Sequence, residues 1–280
     1  MTTSKARKLA LIEWGPRPRT LAGALAYALR RDLERQCHQA PGEDERERVM
    51  HLLHAGTAKI WPSKKYYGDP CGFAKEVLSI DLTDDQKAVL QALVSNMRVA
   101  VSSGHKVGKS VLDAVAALWF FCTRTNARVV MSSVTSRQVD QILWRELKML
   151  YHRAVVPIGG ELRELARSGL RSDDFREIVG FTAREAEAVA GISGPNLFYI
   201  LDEASGIGND IYEAIEGNRA GGAKVLMTSN PTRSEGFFFD AFHRNRKTDD
   251  SPNGFACFTI SSENKVRRSE ERRVGKECRS

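Results

Sequence analysis

The chain has 280 residues, 42% hydrophobic and 28% charged, a globular balance that excludes disorder throughout and leaves room for one large domain or two small ones. No apolar run approaches the ~18 residues of a membrane span, and Met1-Thr2-Thr3-Ser4-Lys5 does not open a secretory signal, so a soluble intracellular protein is expected. The net charge of +7 is unevenly spread: basic residues are in excess over 1–40 and 268–280, while 41–267 is balanced, so bulk charge gives no argument for a nucleic-acid partner.

In chain order, the first 80 residues read as a helical, loop-rich segment. Thr20 caps a helix to about Gln39, with Leu21, Leu25, Leu29 and Leu33 at i+4 spacing. A second helix runs from Glu43 to Ala58, where His51 and His54 read as surface residues because no third metal ligand is near. Pro62, Gly68, Pro70 and Gly72 then mark a loop, whose Trp61, Tyr66 and Tyr67 are expected to pack on the following domain. From Thr83 the pattern alternates: a helix Asp84 to Ser95, a strand Arg98 to Ser102, a helix Lys109 to Thr123, a strand Arg128 to Ser133 and a long helix Ser136 to His152. Glu161 to Asp174 reads as loop and Phe175 to Thr182 as a strand. Leu197 to Leu201 is an apolar strand, Ile207 to Gly217 a helix, Lys224 to Thr228 and Phe255 to Ile260 strands, and the phenylalanines at 237–239 anchor a helix in the core. Such alternation implies an α/β fold with a mostly parallel sheet flanked by helices. The five cysteines form no C-x-x-C pair, so neither a disulfide framework nor a zinc ribbon is expected.

Ser103-Gly104-His105-Lys106-Val107-Gly108-Lys109-Ser110 lies between a strand and a helix, the context of a phosphate-binding loop. Its glycines let backbone N–H groups and a helix N-terminus face an anion. Lys109 would reach the β- and γ-phosphates of ATP, and Ser110 would ligate Mg²⁺. Ser103 stands where the pattern has its first glycine. The strand ending in Asp202-Glu203 would deliver two carboxylates to the carboxyl edge of the sheet: Asp202 for the metal, Glu203 to activate water. Ser229 and Asn230 close the next strand, where they either contact the γ-phosphate or simply end the strand in a turn. The Gln86 amide could read an adenine edge or sit exposed on its helix.

Taken in order, these residues resemble the ATPase domain of tailed-phage terminase large subunits. The resemblance covers about Asp69 to Asn245 and includes Leu82-Thr83-Asp84-Asp85-Gln86, the loop at 103–110, Ser133-Val134-Thr135-Ser136-Arg137-Gln138-Val139, Leu201-Asp202-Glu203-Ala204-Ser205-Gly206 and Ser229-Asn230-Pro231-Thr232-Arg233. Lys106 departs from the glycine or arginine of many members.

The resemblance implies a RecA-like, additional-strand P-loop fold over 81–262, with Gln86 contacting adenine and Ser229 and Asn230 coupling hydrolysis to movement. It implies a motor that uses ATP and Mg²⁺ to drive double-stranded DNA into a procapsid in the host cytoplasm. Its partners would be a portal protein, a small terminase subunit and further copies in a ring, with no membrane involved. A trans-acting arginine completes each site in that family; Arg184, Arg219 and Arg233 are the candidates here. The family's nuclease half is expected to be missing, because 263–280 reads as a tail in which Arg268 to Ser280 resembles a translated sequencing adapter. The other readings are a helicase-like or other DNA-stimulated ATPase, and an inactive fragment or binding module.

Overall fold

The computed structural model describes residues 60–105, 107–163, 169–182, 191–219 and 222–262. The helices expected over 20–39 and 43–58, with His51 and His54, lie outside these residues, as do Lys106, Arg184 and the tail from 263.

The first described helix, α1 (Pro70–Glu76), begins where a loop was expected. Pro70 suits a first helical turn because its missing N–H has no intrahelical partner there. The Asp69 carboxylate caps the turn by accepting from Gly72 N at 2.7 Å. Helix α2 (Asp84–Ser95) carries a reciprocal cap between Thr83 and Gln86. Then follow β1 (Arg98–Ser103), α3 (Lys109–Thr123) and β2 (Ala127–Ser133). The long helix expected after β2 is interrupted: α4 (Ser136–Gln138) passes through a π turn, Val139–Leu143, into α5 (Trp144–Arg153).

The span read as loop over 161–174 instead contains two three-residue strands, β3 (Glu161–Arg163) and β4 (Gly169–Arg171), ahead of β5 (Glu177–Thr182). Strand β6 (Asn196–Asp202), a 3-10 turn (Ala204–Gly206), α6 (Asn209–Arg219), β7 (Lys224–Ser229), α7 (Phe237–Phe242) and β8 (Ala256–Ile260) complete the order.

Among the described residues eight strands form one sheet, ordered β3-β4-β5-β2-β6-β7-β1-β8. Pairing is parallel from β5 to β8 and antiparallel only at β3 and β4. The central strands are apolar at successive positions because both faces are covered. Val99, Val101, Met131, Ile200 and Leu226 belong to the core shared with α3 and α5, while Ala100, Val130, Tyr199, Leu201 and Met227 belong to the core shared with α6 and α7. Trp61, Tyr66, Phe73 and Val77 are buried in the first of these cores, so no break in packing falls at residue 80. Tyr67, by contrast, is exposed, and of the three phenylalanines at 237–239 only Phe238 is buried. No helix among the described residues is long and apolar enough to cross a membrane.

Candidate active site

Strand β1 delivers the chain to Gly104, and α3 starts five residues later at Lys109. Gly104 N donates to Ile260 O at 3.2 Å, which ties the loop to β8. Gly108 has φ +87°, the left-handed region that glycine enters without a Cβ penalty. Ser103 is still strand and has no positive φ, so the backbone makes no demand for glycine there. Gln86 is buried: its Oε1 accepts from Thr83 N at 3.0 Å and its Nε2 donates to Gly108 O at 3.2 Å. The amide therefore braces the loop, leaving one N–H and one lone pair uncommitted.

The acidic pair ends β6, two strands from β1, with β7 between them. Asp202 is registered with Thr228 of β7 and is 4% exposed. Burial, and then the neighbouring Glu203 charge, push its carboxyl up to about 6. Glu203 has φ +51°, a left-handed conformation rare for a side chain of its kind, and Gly206 N donates to Glu203 O at 2.9 Å to close the turn.

Strand β7 delivers Ser229 and Asn230 beside both sites. Ser229 Oγ accepts from Ser205 N at 3.1 Å, and Ser205 Oγ lies 2.7 Å from Thr232 Oγ1. Asn230 Oδ1 accepts from Lys109 Nζ at 2.5 Å, and Asn230 Nδ2 lies 3.0 Å from the His105 ring nitrogens. Lys109 Nζ also donates to Gly104 O at 3.3 Å. One hydrogen-bonded series thus runs from the loop after β6, through the loop after β7, to the lysine at the start of α3.

No family model matches the sequence. It is 29% identical over 176 residues to a probable terminase large subunit of Enterobacteria phage P7, a match covering 59% of this chain and 35% of that protein. Among solved structures, the large terminase ATPase domain of Thermus phage P74-26 aligns with TM-score 0.53 at 21% identity, covering 77% of this chain and 93% of that one. The HK97 bacteriophage large terminase aligns with TM-score 0.51 at 14% identity, over 64% and 39% of the two chains. The fold is that of a phage large-terminase ATPase domain.

Within this terminase-type fold, sequence reading missed two residues of the site. Asp113 on α3 and Thr228 on β7 are both fully buried, with Thr228 Oγ1 2.8 Å from Asp113 Oδ2 and 3.3 Å from Asp202 Oδ1. A signal was present: Asp113 is the lone charge between Val111 and Phe121, in a helix apolar on every face. The candidate arginines are not brought to the site together. Arg233 is exposed in the loop after β7 and lines two open cavities of about 630 and 420 Å³, bordered by Phe238. Arg219 ends α6, and its side chain lies outside the described residues, as does all of Arg184.

Proposed function

We propose that the chain is the ATP-hydrolysing motor of a phage terminase large subunit, driving double-stranded DNA into a procapsid. The observation that carries this reading is the grouping along one sheet edge of a phosphate-loop lysine, the buried Asp202 with the half-buried Glu203 beside it, and a polar link from Asn230 to Lys109. The backbone of 103–108 and the α3 N-terminus would cradle the phosphates of ATP. Lys109 has one N–H beyond those given to Gly104 and Asn230. A γ-phosphate that takes more than that one N–H would compete with Asn230 for the ammonium. Its loss on hydrolysis would return Lys109 to Asn230, and Ser229 would pass the change on to Ser205 beside Glu203. That is the coupling role assigned to Ser229 and Asn230.

Mg²⁺ suits the residues present. Among the described residues no cluster of three or more His, Cys, Asp or Glu could cage a metal, whereas Mg²⁺ typically takes one or two protein oxygens with phosphates and water. Asp202 is nearly buried with no Lys or Arg ion pair among the described residues, so a cation would relieve its burial penalty. Asp202 and Ser110 would hold it; when bound, Mg²⁺ would neutralise charge on the phosphate oxygens. Glu203 would take the proton of the attacking water. The uncommitted N–H and lone pair of Gln86 are its means of contacting adenine. A trans arginine from a neighbouring copy in a ring, chosen among Arg184, Arg219 and Arg233, would complete the charge neutralisation. The setting is the host cytoplasm, with transient docking on the portal and a small terminase subunit as partner.

ATP turnover by the purified chain, with and without double-stranded DNA, tests the reading. Lys109→Ala and Glu203→Ala should each lower turnover by about 10²–10⁴-fold. Full turnover in Glu203→Ala would remove the assigned base, and absence of DNA uptake by purified procapsids would separate this motor from other DNA-stimulated ATPases.

A further inference from the structure

Asp113 lies one turn into α3, four residues past Lys109, with no exposed surface. An ionised carboxylate in such a place calls for a cation or several donors. Asp113 Oδ1 has no hydrogen-bond partner, and Oδ2 has only Thr228 Oγ1 at 2.8 Å. That same hydroxyl is 3.3 Å from Asp202 Oδ1. A hydroxyl carries one hydrogen and cannot give it fully to two carboxylates. Both contacts are met when one acid of the two is neutral, and Asp113, fully buried with Oδ1 unpartnered where Asp202 is 4% exposed, is the one the geometry favours: it donates from Oδ2 to Thr228 Oγ1, while Thr228 donates onward, over a longer contact, to Asp202. Oδ1 is then the carbonyl oxygen of a neutral acid, and leaving it unpaired is far less costly than leaving a buried charge unpaired. Burial and then the Asp202 charge push the Asp113 carboxyl well above the usual range, and the Thr228 hydroxyl and then Lys109 oppose them more weakly.

We propose that Asp113 and Thr228 are positioning residues for Asp202: Thr228 gives its single hydrogen to Asp202 Oδ1, leaving the other oxygen to the nucleotide-bound cation, and Asp113 holds Thr228 in that orientation. The proposal rests on reading Asp202 as the metal ligand. Neither positioning residue touches substrate. Direct ligation by Asp113 is disfavoured by its zero exposure and by the intervening Thr228.

The test is Mn²⁺ binding to the full chain with ADP, followed by the paramagnetic resonance of free Mn²⁺, alongside thermal unfolding. Asp113→Asn keeps an N–H donor in place of the acid, and Thr228→Ser keeps the hydroxyl; both should bind Mn²⁺ within about twofold of the unaltered chain. Asp113→Leu and Thr228→Val, which break the relay, should weaken binding by ~10-fold or more, the usual effect of losing a partner behind a ligand. Should Thr228→Val not fold, Thr228→Ala removes the same hydrogen. Unchanged Mn²⁺ affinity in the relay-breaking variants, even with lowered stability, overturns the proposal. So does a loss in Asp113→Asn equal to that in Asp113→Leu, which would make the charged carboxylate itself the requirement. Asp202→Ala separates the two levels: if it leaves Mn²⁺ binding intact, the assignment of Asp202 to the metal fails first.

Discussion

Gly108 meets two constraints at one Cα. Its φ of +87° is unfavourable for any residue with a Cβ, and a Cβ built there would come within 2.8 Å of Gln86 Nε2, the amide that braces its own carbonyl. Gly108→Ala should therefore lower stability by ~1–2 kcal/mol and weaken binding of a fluorescent ATP analogue. Denaturant titration and fluorescence titration read the two effects, and unchanged binding would detach the loop geometry from nucleotide recognition. The glycine was legible in the sequence because the loop pattern requires flexible residues at fixed spacing. The role of Gln86 as a brace was not, since its partner lies 22 residues away and only the fold brings α2 against the loop. Asp113 was overlooked for a different reason: periodicity assigns a helix to its face by its apolar neighbours, and a single acid in an otherwise buried helix does not disturb that pattern.

Elements here are fastened at their ends by distant side chains. Lys224, at the start of β7, donates to Leu93 O and Asn96 O, both at 2.6 Å, and so caps the carboxyl end of α2. Burial, and then the nearby Arg124 charge, pull its ammonium down to about 8 from an ordinary value of 10.5. A neutral amine still has two N–H groups for two carbonyls. Between about pH 8 and 10.5 the unfolded chain holds this proton and the folded chain does not. Stability from Lys224 should thus rise with pH across that window, by up to ~1.4 kcal/mol per unit, and be flat below it. Lys224→Met should remove this part of the slope and lower the baseline; comparing denaturation midpoints of the two proteins from pH 7 to 10 checks the sign. Other elements resisted sequence reading because of scale. Strands β3 and β4 have three residues each, too few for alternation to register; β3 pairs with β4, and the pairing of β4 with β5 runs through a turn held by the buried Arg176, which donates to Asp174 and to Phe121 O. The π turn at Val139–Leu143 leaves the hydrophobic spacing nearly helical and so gives no warning.

At the scale of the molecule, two apolar layers clasp one sheet, and the segment from Trp61 to Leu82 completes the layer over α3. Trp61 Nε1 donates to Pro157 O and Trp119 Nε1 to Tyr66 O, both at 2.7 Å, while Phe73 meets the rings of Trp61 and Tyr66 edge-on. Phe73→Ala should cost ~3–5 kcal/mol and shift the whole unfolding transition of the described sheet. A separate early transition, seen by tryptophan fluorescence but not by far-ultraviolet dichroism, would instead make this segment an appendage. The alternation of helices and strands made the parallel sheet legible in advance, whereas the attachment of this segment was hidden because its aromatic residues carry no period.

The β3 margin of the sheet also bears on how many copies of the chain can be crowded together. A strand of three residues offers an arriving segment little backbone to pair with, and Glu161 and Arg163 on it are already bound to each other at 3.0 Å in the open. Among the described residues, such a margin is a poor template for edge-to-edge pairing between copies.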